Sequence, residues 1–119
     1  LVNNSDAIRN GAFYDLQYAN TNGKAAGYND TKMYTYLRHS DKQKLLIVCN
    51  FDLQHGAKTT VKIPAHAWET MGLSAQAQYS LKEIFHHPQT LSVDALHGVP
   101  VEMTPNSVRI FEIKTAKTN

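Results

Sequence analysis

At 119 residues the chain has room for one domain with a single core and too little for a complete (β/α)8 barrel, which takes about 250 residues. Twelve Lys and Arg against ten Asp and Glu leave a formal charge of +2, and the basic residues are scattered instead of forming a stripe, so nucleic acid is not an expected partner. The single cysteine, Cys49, can form no internal disulfide and identifies no compartment.

Residues 1–10 are a polar lead-in with neither the apolar stretch of a signal peptide nor a membrane span, and a chain that starts on Leu reads as a piece of a longer protein. Residues 12–18 (AFYDLQY) mix aromatic and polar residues in the manner of a first strand. Residues 20–30 hold two glycines and several Asn, which predicts a loop whose tip carries Tyr28. Residues 33–39 (MYTYLRH) and 44–51 (KLLIVCNF) then read as two strands, and with only residues 40–43 between them a hairpin is the economical connection. The second of these is the centre of the pattern. Its five consecutive apolar residues, Leu45 to Cys49, cannot hide one face while wetting the other, so both faces should be covered and Cys49 should be buried.

After a turn at residues 54–58, residues 59–63 (TTVKI) read as a strand stopped by Pro64, which has no N–H for a ladder. Residues 65–72 (AHAWETMG) carry helix formers and a terminal glycine, giving one or two helical turns with Trp68 pointing inward. Strands are expected at 79–85, 90–93, 99–103 and 107–114, with a turn at Pro88 and a polar tail over 115–119. Seven to eight short strands, close-set turn signals and at most one short helix predict an all-β antiparallel sandwich of Greek-key type.

Residue patterns that carry chemistry are few. Six histidines invite a metal reading, but adjacent His86 and His87 would point to opposite sides of an extended segment, and no other ligand spacing supports a site. No Gly-x-Ser-x-Gly accompanies a nucleophile. Glycoside hydrolysis needs two carboxylates held roughly 5–9 Å apart, yet Asp15, Asp41, Asp52, Glu69, Glu83 and Glu112 fall at turns or alternate with apolar residues, as on solvated faces. The expected catalytic, cofactor and metal sets are therefore empty. Stacking on a sugar ring requires an exposed planar side chain, for which Tyr18, Tyr28, Trp68 and Tyr79 are candidates. Tyr28 on its loop and Trp68 lead this group, although core filling is the stronger expectation for Trp68.

In order along the chain, several segments resemble the C-terminal β-sandwich domain that follows the catalytic barrel in α-amylase-type enzymes of glycoside hydrolase family 13. Asp6-Ala7-Ile8-Arg9-Asn10-Gly11-Ala12-Phe13 is similar to that family's Ala-Ile-x-x-Gly-x-Phe entry from the last barrel helix. Tyr34-Thr35-Tyr36-Leu37-Arg38 and Leu45 to Phe51 resemble its aromatic-rich strand and its Val-x-Asn-Phe strand, and Val61-Lys62-Ile63-Pro64 and Pro105 to Ile113 resemble the strands that follow. Cys49 stands where such domains usually place an aliphatic residue. The family's catalytic Asp, Glu and Asp lie on barrel strands and have no counterpart in this chain.

The resemblance implies residues 1–10 as a lead-in from a barrel, residues 11–114 as the sandwich and 115–119 as a tail. It also implies a non-catalytic accessory domain without cofactor, whose partner is the barrel of the same polypeptide and for which an α-glucan is a candidate ligand. The rival reading is a free-standing carbohydrate-binding or protein-interaction sandwich, and the length of the full gene product separates the two. Because both faces of strands 33–39 and 44–51 carry apolar weight, the outer face should present an exposed apolar patch for the barrel.

Overall fold

The computed structural model describes residues 11–21, 27–29, 31–84 and 90–115. The lead-in over 1–10, the His86, His87 and Pro88 turn and all of the tail but Thr115 lie outside the described residues. Among the described residues eight strands occur: β1 Ala12–Asp15, β2 Met33–His39, β3 Lys44–Asn50, β4 Ala57–Val61, β5 Gln78–Glu83, β6 Thr90–Asp94, β7 Val99–Met103 and β8 Ser107–Thr115. Two short helices join them, α1 Gln17–Asn20 and α2 Ala65–Thr70. A six-stranded sheet runs β1-β2-β3-β8-β5-β6 and a two-stranded sheet pairs β4 with β7. Every pairing is antiparallel.

The β2–β3 hairpin forms where expected, with Met33 opposite Asn50 and His39 opposite Lys44. Side-chain alternation then sorts the large sheet into two faces. Met33, Thr35 and Leu37 of β2, Leu46, Val48 and Asn50 of β3, Phe111 and Ile113 of β8 and Tyr79 and Leu81 of β5 look inward and are buried. The small sheet closes over them with Val61, Val99, Val101 and Met103 in one apolar cluster. On the outer face, Leu45, Ile47, Cys49 and Ile110 form a second cluster, flanked by Tyr34, Tyr36, Ile84 and Val108. The outer face thus has the apolar weight expected of it, but its aliphatic centre is buried and not exposed. Burial also pushes the Cys49 thiol above its usual pKa. Around that centre Tyr34, Tyr36, Ile84 and Val108 are half-buried, and Phe13 is 50% exposed, its ring 5.1 Å from that of Tyr36, which in turn lies 5.5 Å from Tyr34.

Two local expectations are corrected. The first strand stops at Asp15 because the Asp15 carboxylate accepts the Gln17 N–H at 2.8 Å and turns the chain into α1, a second helical segment the sequence pattern did not predict. The strand expected over 59–63 is displaced to Ala57–Val61, because Lys62 N–H leaves the ladder to donate to Asn20 Oδ1 at 2.7 Å. At the end of α2 the expectation holds. Gly72 takes φ +77°, and the Gly72 and Leu73 N–H groups close on the carbonyls of Glu69 and Trp68, both at 2.9 Å, a Schellman arrangement that suits glycine.

Candidate functional site

Of the sequence-nominated rings, Trp68 lies on α2, which joins the two sheets, Tyr79 on β5, and Tyr18 and Tyr28 on the connection between β1 and β2. Trp68 sits on the inward side of α2 and is 1% exposed. Its ring stacks on Tyr79 of β5, centroids 4.5 Å apart and planes 8° from parallel, so one face is covered by another aromatic and Trp68 belongs to the core. The Tyr79 hydroxyl donates to the Ser74 carbonyl at 2.6 Å. Among the described residues, Trp68 Nε1 is the buried side-chain donor without an acceptor. Tyr28 is half-buried against the main core. Its hydroxyl donates to Gln17 Oε1 at 2.6 Å and lies 2.9 Å from Thr35 Oγ1, so it fastens the loop to α1 and β2.

A second partly exposed aromatic cluster centres on Tyr14, which the sequence pattern does not single out. Tyr14 joins Tyr18, hydroxyl to hydroxyl, at 2.7 Å, and its oxygen also lies 2.9 Å from His66 Nδ1. Tyr18 is 49% exposed. Partial burial, then the Tyr18 hydroxyl, push the Tyr14 phenol up to about 12.

The carboxylates divide differently from the sequence expectation. Glu83 was placed on a solvated face, yet it is 2% exposed and takes the guanidinium of Arg109, Nε at 3.1 Å and Nη2 at 2.5 Å. The signal was present, since Glu83 shares its strand face with Tyr79 and Leu81. Arg109 Nη1 donates to the Glu102 carbonyl of β7 at 2.8 Å, and its guanidinium carbon lies 5.4 Å from the Phe111 ring centre. The pair is thus a tie between sheets. Asp52 accepts the Gln54 and His55 N–H groups at 2.9 and 3.0 Å, and these bonds, the one from Gln54 first, hold its carboxyl below the usual range. Among the described residues no three His, Cys, Asp or Glu gather in a metal-binding group.

The family described as the α-amylase C-terminal all-β domain matches residues 26–114. The chain belongs to that family. Among similar solved structures is isomaltulose synthase (PalI) from Klebsiella sp. LX3, with a TM-score of 0.52 and 17% identity over 93% of this chain. At that identity the likeness is one of fold. The chain spans 15% of that structure's length. No curated protein matches by sequence.

Proposed function

We propose that this chain is the non-catalytic accessory domain of an α-amylase-type glycoside hydrolase acting on α-glucans, and that it packs against and stabilises the catalytic barrel of the same polypeptide. The family match over residues 26–114 carries the reading. It is supported by the engagement of Glu83, the one buried carboxylate among the described residues, with Arg109, which leaves it no role as a catalytic acid. The line of Phe13, Tyr36 and Tyr34 on the outer face is the surface we assign to the barrel, with residues 1–10 as the lead-in from it.

Two measurements test the two halves of this proposal. The isolated chain, incubated with starch, pullulan and maltooligosaccharides, is expected to release no reducing sugar; release that tracks the chain through purification overturns the non-catalytic half. In the full-length parent, Phe13→Glu is expected to lower the melting temperature of the catalytic unit. A parent that tolerates both this change and removal of the whole domain without loss of stability overturns the packing half.

A further inference from the structure

The sequence holds two Asn-x-Ser/Thr triplets, the pattern that marks an acceptor for N-linked glycosylation, at residues 3–5 and 29–31. A glycan is bulky and hydrated, so the asparagine that bears it must sit at the surface with its amide nitrogen unengaged. The first triplet lies outside the described residues. At the second, Asn29 and Thr31 are both exposed, on a tight turn that leads into β2 and is closed by the Lys32 and Met33 N–H groups, which donate to the Asn29 carbonyl at 3.1 and 2.7 Å. Its middle residue is Asp30 and not the proline that disables the pattern.

The side chains of the turn set the amide. Thr31 Oγ1 donates to Asn29 Oδ1 at 2.8 Å, and the Thr31 N–H donates to the same oxygen at 3.2 Å. A backbone donor can only meet the oxygen, so this bond also fixes which end of the amide is the nitrogen. That nitrogen has no partner among the described residues. Asn20 and Asn50 differ: both are buried, and each gives its Nδ2 to two backbone carbonyls. Those two asparagines spend their nitrogen on the fold, and Asn29 does not.

We propose that Asn29 is an acceptor for an N-linked glycan delivered from a lipid-diphosphate-linked oligosaccharide. In the transfer, Asn29 Nδ2 bonds to the anomeric carbon of the first sugar and the bond from that carbon to the diphosphate oxygen breaks. The lipid diphosphate departs, and one Nδ2 proton passes to a base of the transferase. Thr31 is the second recognition element, since the pattern requires a hydroxyl two residues after the asparagine.

The folded chain, incubated with an oligosaccharyltransferase and that donor, is expected to gain the mass of one oligosaccharide, which peptide mass spectrometry places on residue 29. A free peptide with the sequence of residues 27–33, run beside it, reports that the transferase is active. Peptide N-glycosidase should then release the glycan and leave aspartate at position 29. Thr31→Ala should abolish the modification and Thr31→Ser should retain it in part; position 31 is exposed, so both variants should fold. The proposal is overturned by a folded chain that stays unmodified while the free peptide is glycosylated, by a glycan confined to Asn3, or by occupancy of Asn29 that is unchanged in Thr31→Ala.

Discussion

Asn50 ends β3 facing the sandwich interior, and backbone groups from three places answer its amide. Nδ2 donates to the carbonyls of His55 and Thr104, both at 3.0 Å, and Oδ1 accepts the Asp52 N–H at 3.2 Å. One buried side chain therefore holds the β3–β4 loop against the β7–β8 turn. Replacing it by leucine keeps the volume and strands these groups, so Asn50→Leu should cost about 1–3 kcal/mol, read as a lower urea midpoint at unchanged slope. Equal stability would mean that water takes over the amide's contacts. Tyr14 yields a prediction at alkaline pH. Its pKa is raised, from 10.0 to about 12, so the folded state holds a proton that the unfolded chain releases. Whatever stability this confers is complete below pH 10 and lost as pH rises from 10 towards 12. In a carbon-13 NMR titration Tyr14 should ionise near 12, and Tyr18→Phe should lower that value by removing the neighbouring hydroxyl. A Tyr14 that titrates at the ordinary value would show its hydroxyl to be open to water.

Between elements, the Glu83–Arg109 pair does what neither strand does alone. Glu83 on β5 and Arg109 on β8 share the inner face of the large sheet, and Arg109 reaches across to a β7 carbonyl of the small one. Removing one charge of a fully buried pair costs about 3–5 kcal/mol, but the Arg109 side chain is 18% exposed and keeps its bond to the Glu102 carbonyl, so the cost here is smaller. Glu83→Leu should therefore destabilise by less than that, and Glu83→Leu with Arg109→Met should recover part of the loss. A double variant as unstable as the single one would place the value in the Arg109 contact with β7. The same scale shows what was legible in the sequence. The β2–β3 hairpin and β8 follow from the apolar run over 45–49, the short connection at 40–43 and the alternation over 107–114. The ends of β1 and β4 do not, because the first depends on the Asp15 carboxylate taking the Gln17 N–H and the second on Asn20. Its Nδ2 donates to the carbonyls of Leu16 at 2.9 Å and Lys62 at 3.1 Å, while its Oδ1 draws Lys62 N–H out of the ladder. Asn20 and Lys62 lie 42 positions apart, a contact to which local propensity is blind. Glu83 was misjudged for a similar reason: its strand pattern marks it as inward, but the partner that makes burial tolerable comes from a distant strand. Trp68 is legible as core, whereas its stacking partner Tyr79 comes from a separate strand.

Across the whole molecule, the last strand in sequence is not at the edge of the sheet but in its middle. β8 pairs with β3 through Leu45↔Glu112 to Asn50↔Ser107 and with β5 through Tyr79↔Thr115 to Glu83↔Phe111. Without it the large sheet falls into β1-β2-β3 on one side and β5-β6 on the other, each with an unpaired inner edge. The core also loses Ile110, Phe111 and Ile113, all buried. At about 1.5–3 kcal/mol for each buried side chain, this already approaches the roughly 5–15 kcal/mol by which a domain is stable. Arg109 departs with them and leaves Glu83 buried without its partner. A chain ending at residue 106 should therefore show no cooperative unfolding transition, and a peptide of residues 107–115 added in excess should restore one by inserting as the missing strand. Formation of the ladder between residues 45–50 and 107–112 closes a long loop, so refolding of the intact chain should be slow for its size. If the truncated chain keeps a sharp transition and the peptide does not sharpen it further, the two halves of the sheet fold independently and β8 is a late addition instead of the element that joins them.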